Sequence, residues 1–105
     1  MGLFVLAGLS LVLSGDAWAS THHLVHRVVI DGMKFTPQAL VVHSGDTVVW
    51  ENEDLVPHTV TASNKSFDSK SIEPGKSFYY KTRHEGTFHY SCRFHPTMTG
   101  TLIVK

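Results

Sequence analysis

The sequence is short of several things, and each shortage excludes something. Its 105 residues contain 1 Cys, so neither an internal disulfide nor a multi-thiolate zinc site can form. No charge sign dominates: 9 Lys and Arg face 9 Asp and Glu, which removes any global electrostatic case for nucleic acid or an anionic membrane. The longest apolar run, Leu3 to Leu13, is too short to cross a hydrocarbon layer that needs about 20 residues. No stretch carries the 3.6-residue periodicity of a helix, and there is no repeat or low-complexity tract. Present instead are 42% hydrophobic residues, enough for one modest core in a single domain, and 8 His, an unusual number beside a solitary Cys.

The amino terminus reads as a secretory signal over 1–19, followed by one domain over 20–105. Leu3 to Leu13 has the length of a signal h-region, and the small-residue motif Ala17-Trp18-Ala19 suits cleavage before Ser20. Met1 and Gly2 supply no Lys or Arg to the n-region. No Cys follows the motif, so a lipid anchor is not expected there. Cleavage would remove Asp16 and leave a charge of +1. The short signal points to the periplasm. A chain beginning Ser20-Thr21-His22 would also offer Cu(II) an α-amine, two amide nitrogens and an imidazole, a square-planar donor set.

From Leu24 onward, short β-rich runs alternate with turn signals such as Asp31-Gly32, Ser44-Gly45-Asp46, Glu73-Pro74-Gly75 and Glu85-Gly86. The expected strands are Val25 to Ile30, Ala39 to His43, Thr47 to Trp50, His58 to Ala62, Ser77 to Thr82, Thr87 to Cys92 and Thr101 to Val104. This spacing predicts a sandwich or barrel of short antiparallel strands. Alternation puts Phe88, Tyr90 and Cys92 on one face and His89 on the other. The aromatic face is the core, with Phe35, Leu40, Val48, Trp50, Phe67 and Phe78 as partners. His43, His84 and His89 are expected at the surface.

The chemistry gathers near the carboxyl end. Cys92-Arg93-Phe94-His95-Pro96-Thr97-Met98 spaces a thiolate, an imidazole and a thioether three residues apart on one loop. One more imidazole would complete two His and one Cys with a weak axial Met, the ligand set of blue copper. His58 is the best candidate. Zinc suits the set less well, because Met is a poor zinc ligand.

At these residues the chain resembles the cupredoxins, type I blue copper proteins, and within them the amicyanin and plastocyanin group. The upstream half of the resemblance is Phe35-Thr36-Pro37, Ser44-Gly45-Asp46-Thr47-Val48-Val49-Trp50 and Pro57-His58-Thr59-Val60. The downstream half is Phe67-Asp68-Ser69, Ile72-Glu73-Pro74-Gly75, Gly86-Thr87-Phe88 and Tyr90-Ser91-Cys92. It implies a Greek-key β-sandwich of seven to eight strands and one copper ion bound by His58, Cys92, His95 and Met98. It implies one-electron transfer rather than enzymatic turnover, with redox partner proteins docking transiently near His95, and a monomer. The Cys92 to His95 to Met98 spacing matches amicyanin; plastocyanins have a longer second gap. Two positions depart from the pattern. Thr59 stands where Asn is common, which would alter a bond tethering the Cys loop, and Phe94 stands where Pro is common. Glu51, Glu53 and Asp54, just before His58, read as a solvated acidic loop that could steer partners, as could Arg93. A copper carrier using the same four ligands, and a metal-free β-sandwich interaction module, are the other functions the sequence allows.

Overall fold

β-Branched and aromatic runs, cut by Gly and Pro turns, become eight strands. They are β1 (Val25–Asp31), β2 (Lys34–Thr36), β3 (Ala39–Val42), β4 (Thr47–Asn52), β5 (Thr61–Ala62), β6 (Ser77–Lys81), β7 (Gly86–Ser91) and β8 (Thr99–Val104). The structure is a computed structural model that describes Gly2, Gly8 and residues 22–105. The expected signal peptide over 1–19 and the Ser20-Thr21 start therefore lie outside the described residues, those two glycines apart. Two four-stranded sheets pack face to face in the orders β2-β1-β4-β6 and β3-β8-β7-β5. This is the all-β, Greek-key sandwich the sequence implied.

Three local readings need correction. The sheets are mixed, because β1 runs parallel to β4 and β3 runs parallel to β8. Alternation along a strand reports which face is buried, not which way the neighbour runs, so direction was invisible in the sequence. A second omission is β2, whose three residues are too few to show a period. It pairs with β1 through a two-residue turn in which Gly32 and Met33 both have φ near +60°, the requirement of a type I′ hairpin. Finally, His58 does not open a strand. Its backbone makes an isolated bridge to Ile72, with His58 N donating to Ile72 O at 3.1 Å and Ile72 N to His58 O at 2.7 Å.

The inward faces carry Val28, Ile30, Val48, Trp50, Val60, Cys92 and Leu102, all fully buried. Trp50 sits at the centre, its ring 5.5 Å from Tyr90 and 5.8 Å from both Phe67 and Phe78. Tyr90 lies across Gly100 on the neighbouring strand, where an added Cβ would overlap the phenol ring, so only glycine leaves room there. Cys92 points inward and His89 outward, as the parity required.

One end of the sandwich is tied by Asp46, 2% exposed. Its Oδ1 accepts Leu24 N at 2.9 Å; its Oδ2 accepts His43 N at 3.0 Å and lies 2.9 Å from His26 Nε2. Burial opposes the charge on Asp46, but the bonds from Leu24, His26 and His43 together outweigh it and draw its pKa down to about 2. A carboxyl depressed on folding stabilises the folded state above its ordinary pKa, and that stability is lost as pH falls through the folded value. Asp46→Asn is therefore expected to lower the urea midpoint of the protein at pH 6, with the gap to wild type closing between pH 3.8 and about 2. A gap independent of pH across that window would show that the carboxylate charge is not what ties this end.

Candidate metal centre

At the opposite end, β4 finishes at Asn52, whose side chain organises the loop that follows. Asn52 Nδ2 donates to Val56 O at 2.9 Å and Ile72 O at 2.8 Å, and Oδ1 accepts Asp54 N at 2.9 Å. The loop then delivers His58, fully buried, to the side of Cys92 at the end of β7. His58 Nδ1 lies 3.7 Å from Cys92 Sγ, and so does His95 Nδ1. The two imidazoles stand 5.1 Å apart between centroids. Among the described residues, these three form the one group of His, Cys, Asp or Glu whose ligand atoms all lie within 4.8 Å of each other.

Those separations are long for hydrogen bonds and right for a shared ion. Metal bonds of about 2.1 Å to nitrogen and about 2.3 Å to sulfur, spread trigonally, set neighbouring donors about 3.8 Å apart. The chain between the candidate ligands is closed by its own backbone: His95 N donates to Cys92 O at 3.3 Å, Met98 N to His95 O at 2.9 Å, and Cys92 N to Met98 O at 3.0 Å. Two consecutive four-residue turns, sharing His95, thus fold Met98, 4% exposed, back to Cys92.

Two features around the candidate ligands were not legible beforehand. Asp54, expected in a solvated acidic loop, turns inward: its Oδ2 is 2.7 Å from His58 Nε2. His58 Nε2–H donates there, which leaves the Nδ1 lone pair aimed at the Cys92 side, the carboxylate–histidine arrangement of metal sites. The same carboxylate accepts Gly32 N at 2.7 Å and Met33 N at 3.0 Å, so one residue holds both the β1–β2 turn and a candidate ligand. Burial pushes the Asp54 pKa up, and the bonds from Met33, Gly32 and His58 overcome it, leaving the group below its usual value. The signal was present as a carboxylate four residues before His58, but nothing local says that such a loop folds in. Of its neighbours, Glu51 pairs with Arg27 and Glu53 remains exposed.

The second feature concerns Thr59. The Cys loop is tethered after all, by a hydroxyl in place of an amide. Thr59 Oγ1 accepts Arg93 N at 2.7 Å, while Thr59 N donates to Cys92 Sγ at 3.3 Å. Arg93, read as a solvated loop charge, bonds Asp68 Oδ2 at 2.7 Å and clamps the loop from outside. The N–H donated to the sulfur stabilises thiolate charge.

Two imidazoles and one thiolate, gathered at the end of a sandwich by two backbone segments far apart in the chain, define a small β-sandwich metalloprotein. The comparisons carry this further. The family model for the Cupredoxin-like domain matches residues 3–104, and the chain belongs to that family, whose cofactor is copper. Amicyanin of Paracoccus versutus is 26% identical over 83 residues, 74% of this chain and 63% of that protein, so the chain spans just under two thirds of this relative's length. The chloroplastic plastocyanin of Tetradesmus obliquus is 30% identical over 113 residues, covering 95% of this chain and 75% of its own. A methionine-to-alanine variant of amicyanin in its Cu(I) form superposes with a TM-score of 0.72 at 28% identity, over 77% of this chain and 82% of that one.

Proposed function

We propose that the protein is a type I copper electron carrier that shuttles one electron between periplasmic redox partners, with His58, Cys92, His95 and Met98 holding a single copper. The observation that carries this reading is the pair of equal 3.7 Å separations from Cys92 Sγ to the Nδ1 atoms of His58 and His95. Copper bound there supplies a one-electron couple, and the chain's own residues do the rest. Cys92, sealed from water, provides a thiolate kept in place by Thr59 N–H. Asp54 fixes the tautomer and tilt of His58. The bonds closing Cys92 to Met98 hold the loop in one shape, which limits rearrangement when the charge at the site changes. Met98, from its place in that loop, would complete the set of residues holding the copper with a weak thioether donor.

His95 is the ligand nearest solvent, half-buried where the others are buried. The two loops that meet at the His58–His95 ring pair present Leu55, 94% exposed, and Phe94, 50% exposed. Such a patch around one ligand suits brief, small-area docking of a redox partner and an electron path through the imidazole. In this reading residues 1–19 are removed on export, 20–105 form the working monomer, and no substrate is turned over.

The test is to load the protein with Cu(II) and follow reduction and reoxidation by voltammetry together with electron self-exchange between the two forms. A reversible one-electron couple with fast self-exchange is the expected result. Ready loss of the metal to a chelating acceptor, with slow electron exchange, would make the protein a copper carrier instead.

A further inference from the structure

The fold places seven of the eight histidines at its two ends and leaves the eighth, His89, within β7. His58 and His95 lie at the Cys92 end, whereas His22, His23, His26, His43 and His84 belong to segments at the other. That placement follows from topology. β4 begins at Thr47 beside the start of β1, and the ends of β3, β6 and β8 arrive at the same place: Thr47 N donates to Leu24 O, Gly45 N to Thr82 O and Ser44 N to Lys105 O. At a rise of about 3.3 Å per residue, the length of β4 alone puts this end about 17 Å from Asn52 and the Cys92 site. No ion could be shared between them.

Here the side chains of His22, His23 and His43, all exposed, border one open cleft of about 450 Å³, with Asp46 at its floor. The two segments that bring them are locked together. Asp46 accepts Leu24 N, next to the His22-His23 pair, and His43 N, so a single buried carboxylate ties together the two backbone segments that carry all three imidazoles. His26 Nε2 holds that carboxylate from its third side. The His23 ring lies over Gly45, where φ is +97° and a Cβ would run into the ring, its Nδ1 lying only 2.6 Å away. The backbone conformation favours glycine at this position.

We propose that His22, His23 and His43 form a second metal site, for a divalent ion of the Zn(II) or Cu(II) type, at the end of the sandwich opposite Cys92. The donor chemistry chooses the ion. Imidazole nitrogens suit Zn(II), Cu(II) and Ni(II), and the cleft offers no thiolate or thioether to favour Cu(I). Asp46 is a positioning residue, its oxygens already spent on Leu24, His43 and His26. In the structure the three rings border the cleft without converging to ligating distance. Convergence requires rotation about χ1 and χ2 of these exposed side chains, and exposed rotamers exchange among staggered wells on the picosecond-to-nanosecond scale.

The experiment uses the full chain, whose retained residues 1–21 remove any Ser20 α-amine as a donor. The Cys92 site is first filled with one equivalent of copper, and Zn(II) is then titrated by calorimetry at pH 7.5 while the visible spectrum is recorded. One further equivalent is expected to bind with that spectrum unchanged. His23→Asn and His43→Asn are each expected to weaken Zn(II) binding by about tenfold or more, again without touching the spectrum. Both residues are exposed, so neither substitution threatens the fold. Absence of a second equivalent, zinc displacing the copper, or a second equivalent that survives either substitution would overturn the proposal.

Discussion

Cys92→Ala is expected to give a folded protein that no longer turns blue with Cu(II). The residue is fully buried and makes two kinds of contribution, which the substitution separates. To the fold, its sulfur is a small apolar filler; deleting one such group from a core costs about 1 kcal/mol. Losing the acceptor for Thr59 N leaves a buried N–H unpaired, a further cost of about 1–3 kcal/mol. A domain with a stability of about 5–15 kcal/mol survives that sum. To the metal, Cys92 is the one thiolate in the chain, and no neighbouring side chain can replace it. The intense visible absorbance on adding one equivalent of Cu(II) is therefore expected to vanish, while urea denaturation still shows a cooperative transition. Blue colour persisting in the variant would remove Cys92 from the site and with it the type I reading.

Asp54→Ala is expected to lower copper affinity by about 10- to 100-fold while every ligand remains present. Three bonds go at once: to His58 Nε2, Gly32 N and Met33 N. The imidazole of His58 loses the acceptor that selects its Nε2–H tautomer, so some of the population presents an N–H, not a lone pair, towards Cys92. The β1–β2 turn, where non-glycine Met33 sits at φ +61°, loses its anchor too. Asp54→Asn should fall on the same side, because its single carbonyl oxygen cannot serve the imidazole and both turn N–H groups together. Competition against a chelator of known copper affinity measures the loss. An affinity within twofold of wild type would show that His58 is oriented by its backbone bridge to Ile72 alone.

The sequence was most informative where a property is local. Turn residues located the strand boundaries, since Gly and Pro act on their own φ angles. Alternation assigned sidedness, which is why Cys92 was placed inside and His89 outside without any knowledge of the fold. The Cys-x-x-His-x-x-Met string placed three donors on one loop because the loop is too short to scatter them. Asp54 defeated this kind of reading. In sequence it is one of three acids in a polar stretch; in space it is part of the metal centre, because Asn52 bends the loop and the β1–β2 turn supplies two more donors.

By itself, then, the sequence determined an all-β sandwich, its inward faces and one end of a thiolate–imidazole–thioether loop, all consequences of neighbours within a few residues. Tertiary structure decided which distant residues meet. It laid β1 parallel to β4, brought His58 across 34 residues to Cys92, turned Asp54 in behind it, and collected three other histidines around a cleft framed by Asp46. The physical reason is that strand pairing and loop closure join segments far apart in the chain, and the side-chain period of a strand carries no information about which partner lies beside it.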